Sequence, residues 1–231
     1  MNEAVANRGV RKDMRLSPER VAYWYSRLNG YLQIENFVVH PGGRGGQRTD
    51  ADLLGVRFPH RSEFSIDHPE HPMVDDAAAL GLSIDLIDVV IAEVKTNACC
   101  TLNGPWTSVE RQNVHRILVA VGCLPRDRIA AAAADIYETG QHVADGLRIR
   151  LIALGRERNE PLSEQFPAVV QLTWAQILSF IGHRFNAYRH QKRQVDQWDV
   201  QGKRLKAIAD SHRNDIGGFV ADALQRLGVR Q

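Results

Sequence analysis

The stretch DVVIAEVKTN, residues 88–97, constrains the fold more than any other part of the chain. Its apolar, β-branched run predicts a buried strand over 86–96. Side chains alternate across a strand, so Glu93 and Lys95 project together from one face, above Ile91. A buried strand that ends in an acid and a base needs either a charge pair at its end or a functional reason for both.

The base in this pair is unusual for the chain. Only five of its 29 basic residues are lysines, and the others are arginines. The triplet Glu93-Val94-Lys95 is also the only acid-x-Lys triplet in the sequence. A generic positive charge would be an arginine here, so Lys95 is a candidate for a specific chemical role.

Before this strand, the sequence predicts one helix and a hairpin. The helix begins at Ser17, a good N-cap followed by Pro18. The hairpin pairs ENFVVHP with DADLLGVRF across the glycine-rich GGRGGQ loop, which lacks the Lys-Ser/Thr of a phosphate-binding loop. A long irregular connection, 57–85, leads to the strand.

After the strand, the pattern predicts a helix opened by a capping box from Thr107 to Glu110 and an alanine-rich helix ended by Gly140. Strands at 147–155 and 168–174 follow, and the second runs into a long helix. This order predicts an α/β fold with a mixed sheet flanked by helices and a helical C-terminal extension. We expect a flexible N-terminus at 1–16, a core at 17–175, and helices at 176–231 that pack on the core or mediate dimer or nucleic-acid contacts.

Composition excludes several classes of protein. The length of 231 residues suits one large domain, and the net charge of +2 does not by itself indicate a nucleic-acid binder. Three cysteines (Cys99, Cys100 and Cys123) do not form a disulfide framework, which favours a reducing, cytoplasmic setting. No apolar run is long enough for a membrane span, and the first 15 residues lack a signal-peptide core.

The hairpin can supply more acid to the strand end. In TDADLLGV, Asp50 and Asp52 share a face with Leu54, so pairing with the 86–96 strand would bring Asp52 beside Glu93. Clustered carboxylates repel unless a cation lies between them, and oxygen ligands favour Mg²⁺. Such a metal with a neighbouring lysine is suited to phosphodiester hydrolysis.

These two motifs, TDADLLGV and VVIAEVKTN, resemble those of the PD-(D/E)XK nuclease superfamily, with its restriction-endonuclease-like fold. The order of helices and strands matches over residues 17–175, whereas individual residues match the superfamily motifs only at 50–56 and 88–97. The resemblance implies a Mg²⁺-dependent endo- or exonuclease, with Mn²⁺ able to substitute and DNA favoured over RNA. Asp52, Glu93 and the Val94 carbonyl would be metal ligands, and Lys95 would position the attacking water.

The resemblance also implies additional candidates: Glu35, Asp50 and Gln112. Glu35 is predicted at the start of a strand rather than within the first helix, where many members place a glutamate. Ala51 stands where the motif often has proline, a departure the superfamily tolerates.

Nucleic-acid contacts are predicted at two places. Arg44 and Arg48 lie in the hairpin loop, and Arg189 and Lys192 lie in the basic stretch HRFNAYRHQKRQ. Each stretch also has a purely structural interpretation, the first as a flexible hairpin loop and the second as a solvated helix face. Without a separate specificity domain, a homodimer or a partner protein is expected to supply specificity.

Other functions remain alternatives. A catalytically inactive nuclease-fold subunit, acting in nucleic-acid binding or assembly, would carry the same elements. A zinc site is disfavoured because Cys99 and Cys100 are adjacent and the candidate histidines (His60, His68 and His71) lie in a proline-rich loop. A small-molecule hydrolase using that loop is a third class.

Overall fold

The computed structural model describes residues 15–40, 49–64 and 71–230. Its strands are β1 (Leu32–Val39), β2 (Thr49–Arg57), β3 (Ile87–Val94), β4 (Gln141–Ala144), β5 (Leu147–Gly155) and β6 (Val170–Thr173). Its helices are α1 (Pro18–Leu28), α2 (Ala77–Leu80), α3 (Gly104–Thr107), α4 (Asn113–Val121), α5 (Ile129–Thr139), α6 (Glu160–Gln165), α7 (Trp174–Ala187), α8 (Val200–Ser211) and α9 (Ile216–Leu227).

The described strands form one mixed sheet in the order β1-β2-β3-β5. The first three pair antiparallel as a meander, and β3 runs parallel to β5. The far edge of β5 is shared: β4 pairs antiparallel with its first half and β6 parallel with its second half. The predicted α/β class, with a mixed sheet flanked by helices and a helical C-terminal part, is confirmed.

Four short elements escaped prediction: β4, α2, α3 and α6. The four residues of β4 are too few to show a period, and α6 is a six-residue helix with Pro161 as its second residue. In addition, β3 ends at Val94 rather than at residue 96, so Lys95 lies just beyond the strand.

The two faces of the sheet bury separate cores. One core combines Val90 and Ala92 of β3 with α1, α7, α8 and α9. The other combines Val89 and Ile91 of β3 with α3, α4 and α5. The alternation of β3 therefore places its even-numbered side chains against the C-terminal helices and its odd-numbered side chains against the central helices. Since α7 crosses residue 175 and α8 and α9 share a core with the sheet, 175 does not separate two packing units.

The chain enters the fold earlier than predicted. Ser17 caps α1, since its side chain accepts a hydrogen bond from the Arg20 N–H. Leu16, however, is 3% exposed, and its N–H donates to the Arg226 carbonyl at 3.1 Å. Leu16 is thus docked on α9 rather than flexible, and positions 1–14 of the predicted flexible segment lie outside the described residues.

The predicted capping box from Thr107 to Glu110 is wrong. Thr107 ends α3, and the Ser108 hydroxyl donates to the Glu110 carboxylate instead. The following helix, α4, begins at Asn113 after Gln112, which adopts a left-handed conformation with φ 54°. Pro105 favours a short helix at 104–107, and this shifts the true helix start by several residues.

The start of β3 carries a buried carboxylate. Asp88 is 2% exposed and accepts hydrogen bonds from Arg148 Nε at 2.8 Å, Arg150 Nη2 at 2.6 Å and the Tyr31 hydroxyl at 2.6 Å. Burial acts to raise the pKa of Asp88, but the hydrogen bonds and charges of the two arginines prevail and hold that pKa below its usual range. This cluster joins β3, β5 and Tyr31, the residue before β1, at one end of the sheet.

We expect Asp88→Asn to destabilise the fold by about 3–5 kcal/mol, because it leaves the buried Arg150 guanidinium without its counter-charge. Urea unfolding at pH 7 measures the change, with the exposed Asp85→Asn as the control. The lowered pKa means that this contribution is present above the unfolded pKa and is lost as pH falls through the folded value. If the Asp88→Asn and Asp85→Asn variants had equal free energies of unfolding at pH 7, the role assigned to the cluster would be contradicted.

Candidate active site

The candidate site lies where β2 and β3 stop pairing. Their register pairs Leu53 with Ala92, and one further step brings Asp52 opposite Glu93. At that step the Val94 N–H donates to Asp52 Oδ2 at 2.7 Å. The Asp52 side chain thus takes the place of a backbone carbonyl as the acceptor for the Val94 N–H. This bond fixes the Asp52 carboxylate against the end of β3.

Glu93 is buried inside the core that contains α3 and α4. It is 3% exposed, and its carboxylate accepts hydrogen bonds from three side chains. Lys95 Nζ donates to Oε1 at 2.5 Å, Asn103 Nδ2 donates to the same oxygen, and Trp106 Nε1 donates to Oε2 at 2.8 Å. These contacts offset part of the cost of burying a charge.

Sequence reasoning missed Asn103 and Trp106. They belong to the NGPW segment, residues 103–106, and nothing in its local sequence shows that it folds back onto Glu93. One signal was available: a tryptophan that becomes buried needs a partner for its indole N–H. Trp106 is 1% exposed, and the Glu93 carboxylate is that partner.

The main chain around Lys95 is fixed from two sides. Its N–H donates to the Leu154 carbonyl at 2.9 Å, and Trp174 Nε1, at the start of α7, lies 3.0 Å from the Lys95 carbonyl. The Lys95 side chain is 27% exposed, whereas that of Glu93 is 4% exposed. The ammonium is therefore held on a rigid support at the point where the buried carboxylate meets solvent.

The electrostatics of the site act on Asp52. Its partial burial, aided by the negative charges of Glu93 and Asp50, raises the pKa of Asp52 to about 6, although the Val94 N–H and Lys95 act in the opposite direction. Two carboxylates that share a confined space with one lysine leave an excess of negative charge. A cation bound there would relieve that excess.

The donor atoms fit Mg²⁺, which takes one or two carboxylates and keeps several waters. Asp52 Oδ1 accepts no hydrogen bond from the described residues, so it has a free coordination position. Glu93 lies opposite Asp52 across the two strands, and Val94 bonds Asp52 through its N–H. Among the described residues, no group of three or more His, Cys, Asp or Glu side chains is arranged to hold a metal.

The additional candidates are dispersed. Glu35 pairs with Leu53 across the strands, and so lies on the face opposite Asp52, where it forms an ion pair with Arg20 of α1. The prediction that Glu35 joins the site is therefore wrong. Asp50 is half-buried on β2 and acts on Asp52 through its charge. Gln112 is exposed as the residue preceding α4.

The predicted nucleic-acid contacts are only partly described. Arg44 and Arg48 lie outside the described residues. Arg189 is exposed after the end of α7. Lys192 does not extend into solvent, because its ammonium pairs with Glu63 and its side chain is 13% exposed. Lys192 thus links its part of the chain to residues 58–64. Its prediction as a nucleic-acid contact is corrected to this structural role.

The disfavoured zinc site also has no counterpart in the described part of the chain. Cys100 is buried, with its Sγ 3.5 Å from the Leu172 carbonyl, while Cys99 contacts Thr101. Burial raises the pKa of the Cys100 thiol to about 11, which makes it a poor metal ligand. His68 lies outside the described residues.

Comparisons with protein-family models, with curated proteins and with solved structures found no match to this chain. Among the described residues, no helix is long and apolar enough to cross a membrane.

We expect Asp52→Asn to raise the melting temperature at pH 8 relative to wild type, with a much smaller difference at pH 4. A carboxyl whose folded pKa is raised contributes stability below its unfolded pKa of about 3.8 and loses that contribution as pH rises through about 6. Asparagine keeps an oxygen acceptor for the Val94 N–H without the charge. Thermal unfolding across this range, in EDTA, measures the effect.

The matched control is Asp50→Asn, which removes the neighbouring charge from the same strand. Its gain at pH 8 should be the smaller of the two, because Asp50 acts on Asp52 only at a distance. Equal melting temperatures for wild type and Asp52→Asn at pH 8 would contradict the electrostatic description of the site.

Proposed function

We propose that the protein is a metal-dependent nuclease of the PD-(D/E)XK type, which hydrolyses phosphodiester bonds, with DNA the favoured substrate. The observation that carries the proposal is the meeting of Asp52, Glu93 and Lys95 at the end of β3, joined by the Val94 N–H and the Lys95 ammonium. The meander β1-β2-β3, preceded by α1 and followed by helices and β5, supports the restriction-endonuclease-like fold that the motifs resemble.

Each residue has a distinct task in this proposal. Asp52, Glu93 and the Val94 carbonyl would hold Mg²⁺ or Mn²⁺. The metal, when bound, would supply charge neutralisation at the phosphoryl group and lower the pKa of a water molecule. Lys95 orients that water and offers positive charge to the developing negative oxygens. Asn103 and Trp106 hold the Glu93 carboxylate in place, so that it need not reorganise.

Lysine suits this task because of where the ammonium lies. It bonds to Glu93 on one side, and its partial exposure leaves donors free for a water or a phosphate oxygen. An ammonium can satisfy the carboxylate and a second acceptor at once, because it has three N–H donors. In the arginine-rich background of this chain, a compact ammonium at this position favours a chemical role over a generic one.

A second candidate function is a nuclease-fold subunit without catalysis. One observation favours it: both Glu93 oxygens already accept hydrogen bonds, and Lys95 lies directly against one of them. If Lys95 keeps that position, it neutralises the carboxylate that a metal would need. Cleavage assays separate the two candidates, because a non-catalytic subunit would bind nucleic acid without cutting it.

We expect Lys95→Ala to lower Mg²⁺-dependent cleavage by at least about 100-fold, since it removes a charge that acts on the transition state. Asp52→Asn should lower it at least as far by removing a metal ligand. The assay is a panel of single-stranded, duplex, nicked and branched DNA and RNA, with Mg²⁺ or Mn²⁺. Circular dichroism and thermal unfolding verify that both variants are folded.

Lys203→Ala is the control, because Lys203 is an exposed lysine on α8 and its removal changes the net charge equally. It should cleave like wild type. Cleavage that survives Lys95→Ala would show that this site is not responsible. Wild-type protein that cuts no member of the panel would favour the non-catalytic candidate.

A further inference from the structure

A second polar feature lies far from the candidate active site, where the C-terminal ends of α7 and α8 meet. It is a cleft of about 460 Å³, here called the basic cleft. Its lining is mostly positive or polar: Phe185, Asn186, Arg189, His190, Arg193, Lys206, Ala209, Asp210 and Arg213. Residues remote in sequence thus converge on one concave surface.

The charges of the basic cleft are only partly balanced. Lys206 is held by Asp210, with Nζ 2.5 Å from Oδ1, so that pair is neutral. No carboxylate of the described residues forms an ion pair with Arg189, Arg193 or Arg213. Three exposed guanidinium groups therefore border one cleft.

The helix ends nearby do not account for this charge. Basic residues commonly balance the negative end of a helix dipole, which is equivalent to roughly half an elementary charge. Two helix C-termini would offset about one of the three positive charges. A surplus of about two remains, which is suited to an anionic ligand.

The form of the cleft identifies the class of anion. Guanidinium groups bind phosphate oxygens through paired N–H donors. Phe185 borders the cleft but is 1% exposed, so its ring offers no face on which a base could stack. The three exposed guanidinium groups are suited to phosphates, and the volume exceeds what a single phosphate needs. A polynucleotide backbone fits both properties.

The position of the cleft relates it to the candidate active site. Trp174, at the start of α7, bonds the Lys95 carbonyl, while the cleft borders the opposite end of this 14-residue helix. At 1.5 Å per residue the two ends are about 20 Å apart. At 3.4 Å per nucleotide of a duplex strand, a ligand reaching both would span about six nucleotides or more.

We propose that the basic cleft is a second nucleic-acid contact, which holds the phosphate backbone about 20 Å from the bond that is cut. The identity of the polymer rests on the proposed function, but the binding does not need cleavage. The cleft would contribute affinity without sequence preference, since phosphate contacts carry no base information.

The test is the double variant Arg193→Ala/Arg213→Ala, assayed by fluorescence anisotropy with labelled 20-nucleotide single-stranded and duplex DNA in EDTA. Removing two phosphate contacts should weaken binding on the order of tenfold and reduce the slope of log K against log salt by about 1–2. The loss should be similar for unrelated sequences. The matched control, Arg126→Ala/Arg128→Ala, removes two exposed arginines that precede α5.

Equal affinity and salt slope for the cleft variant and the control variant would overturn the proposal. So would a 5′-mononucleotide that binds wild type as tightly as the 20-mer and loses that binding in the cleft variant, since the cleft would then be a small-ligand site. Cleavage is read separately. A protein that cuts nothing but loses DNA binding in the cleft variant refutes the proposed nuclease and supports the cleft.

Discussion

The structure depends on a central strand with a buried carboxylate at each end. Asp88 is the second residue of β3 and Glu93 the last but one, and the alternation of the strand directs them to opposite faces of the sheet. Each carboxylate must be satisfied without water, so each recruits donors from distant segments. Asp88 draws in β5 and Tyr31 just before β1, whereas Glu93 draws in α3 and the residue that follows the strand.

The two ends differ in how completely their charge is neutralised. Asp88 receives two arginines and a tyrosine hydroxyl, and its pKa is held low. Glu93 receives one ammonium and two neutral donors, while Asp52 adds a further carboxylate and has its pKa raised to about 6. One end is therefore satisfied by the fold, and the other carries unrelieved negative charge. An excess of negative charge that the fold does not neutralise is typical of functional sites, where a protein loses some stability in order to position its reactive groups.

The sequence allowed prediction of β3 and its hairpin partner because both features are local. An apolar run marks the strand, period-two alternation places Glu93 and Lys95 on one face, and antiparallel pairing brings Asp52 to them. The prediction failed where long-range packing determines which side chains meet. Glu35 was misplaced because only the register with Leu53 shows its face, and Asn103 and Trp106 were missed because α3 folds back from ten residues away. The four residues of β4 are too few to carry a period.

The C-terminal helices couple the two polar surfaces of the molecule. Trp174 fixes the main chain of Lys95, and α7 continues through the core to Arg184, which is held by Glu63 at 3.0 Å. Lys192 pairs with the same glutamate, so the segment leading to the basic cleft is tied to the body of the protein. Because α7 is buried in one core with α1, α9 and the sheet, the cleft and the end of β3 keep a fixed separation. A ligand that contacts both charged surfaces must therefore be long enough to span the fixed distance between them. The chain has a net charge of only +2, but it concentrates positive charge at the cleft, where a phosphate backbone would need it.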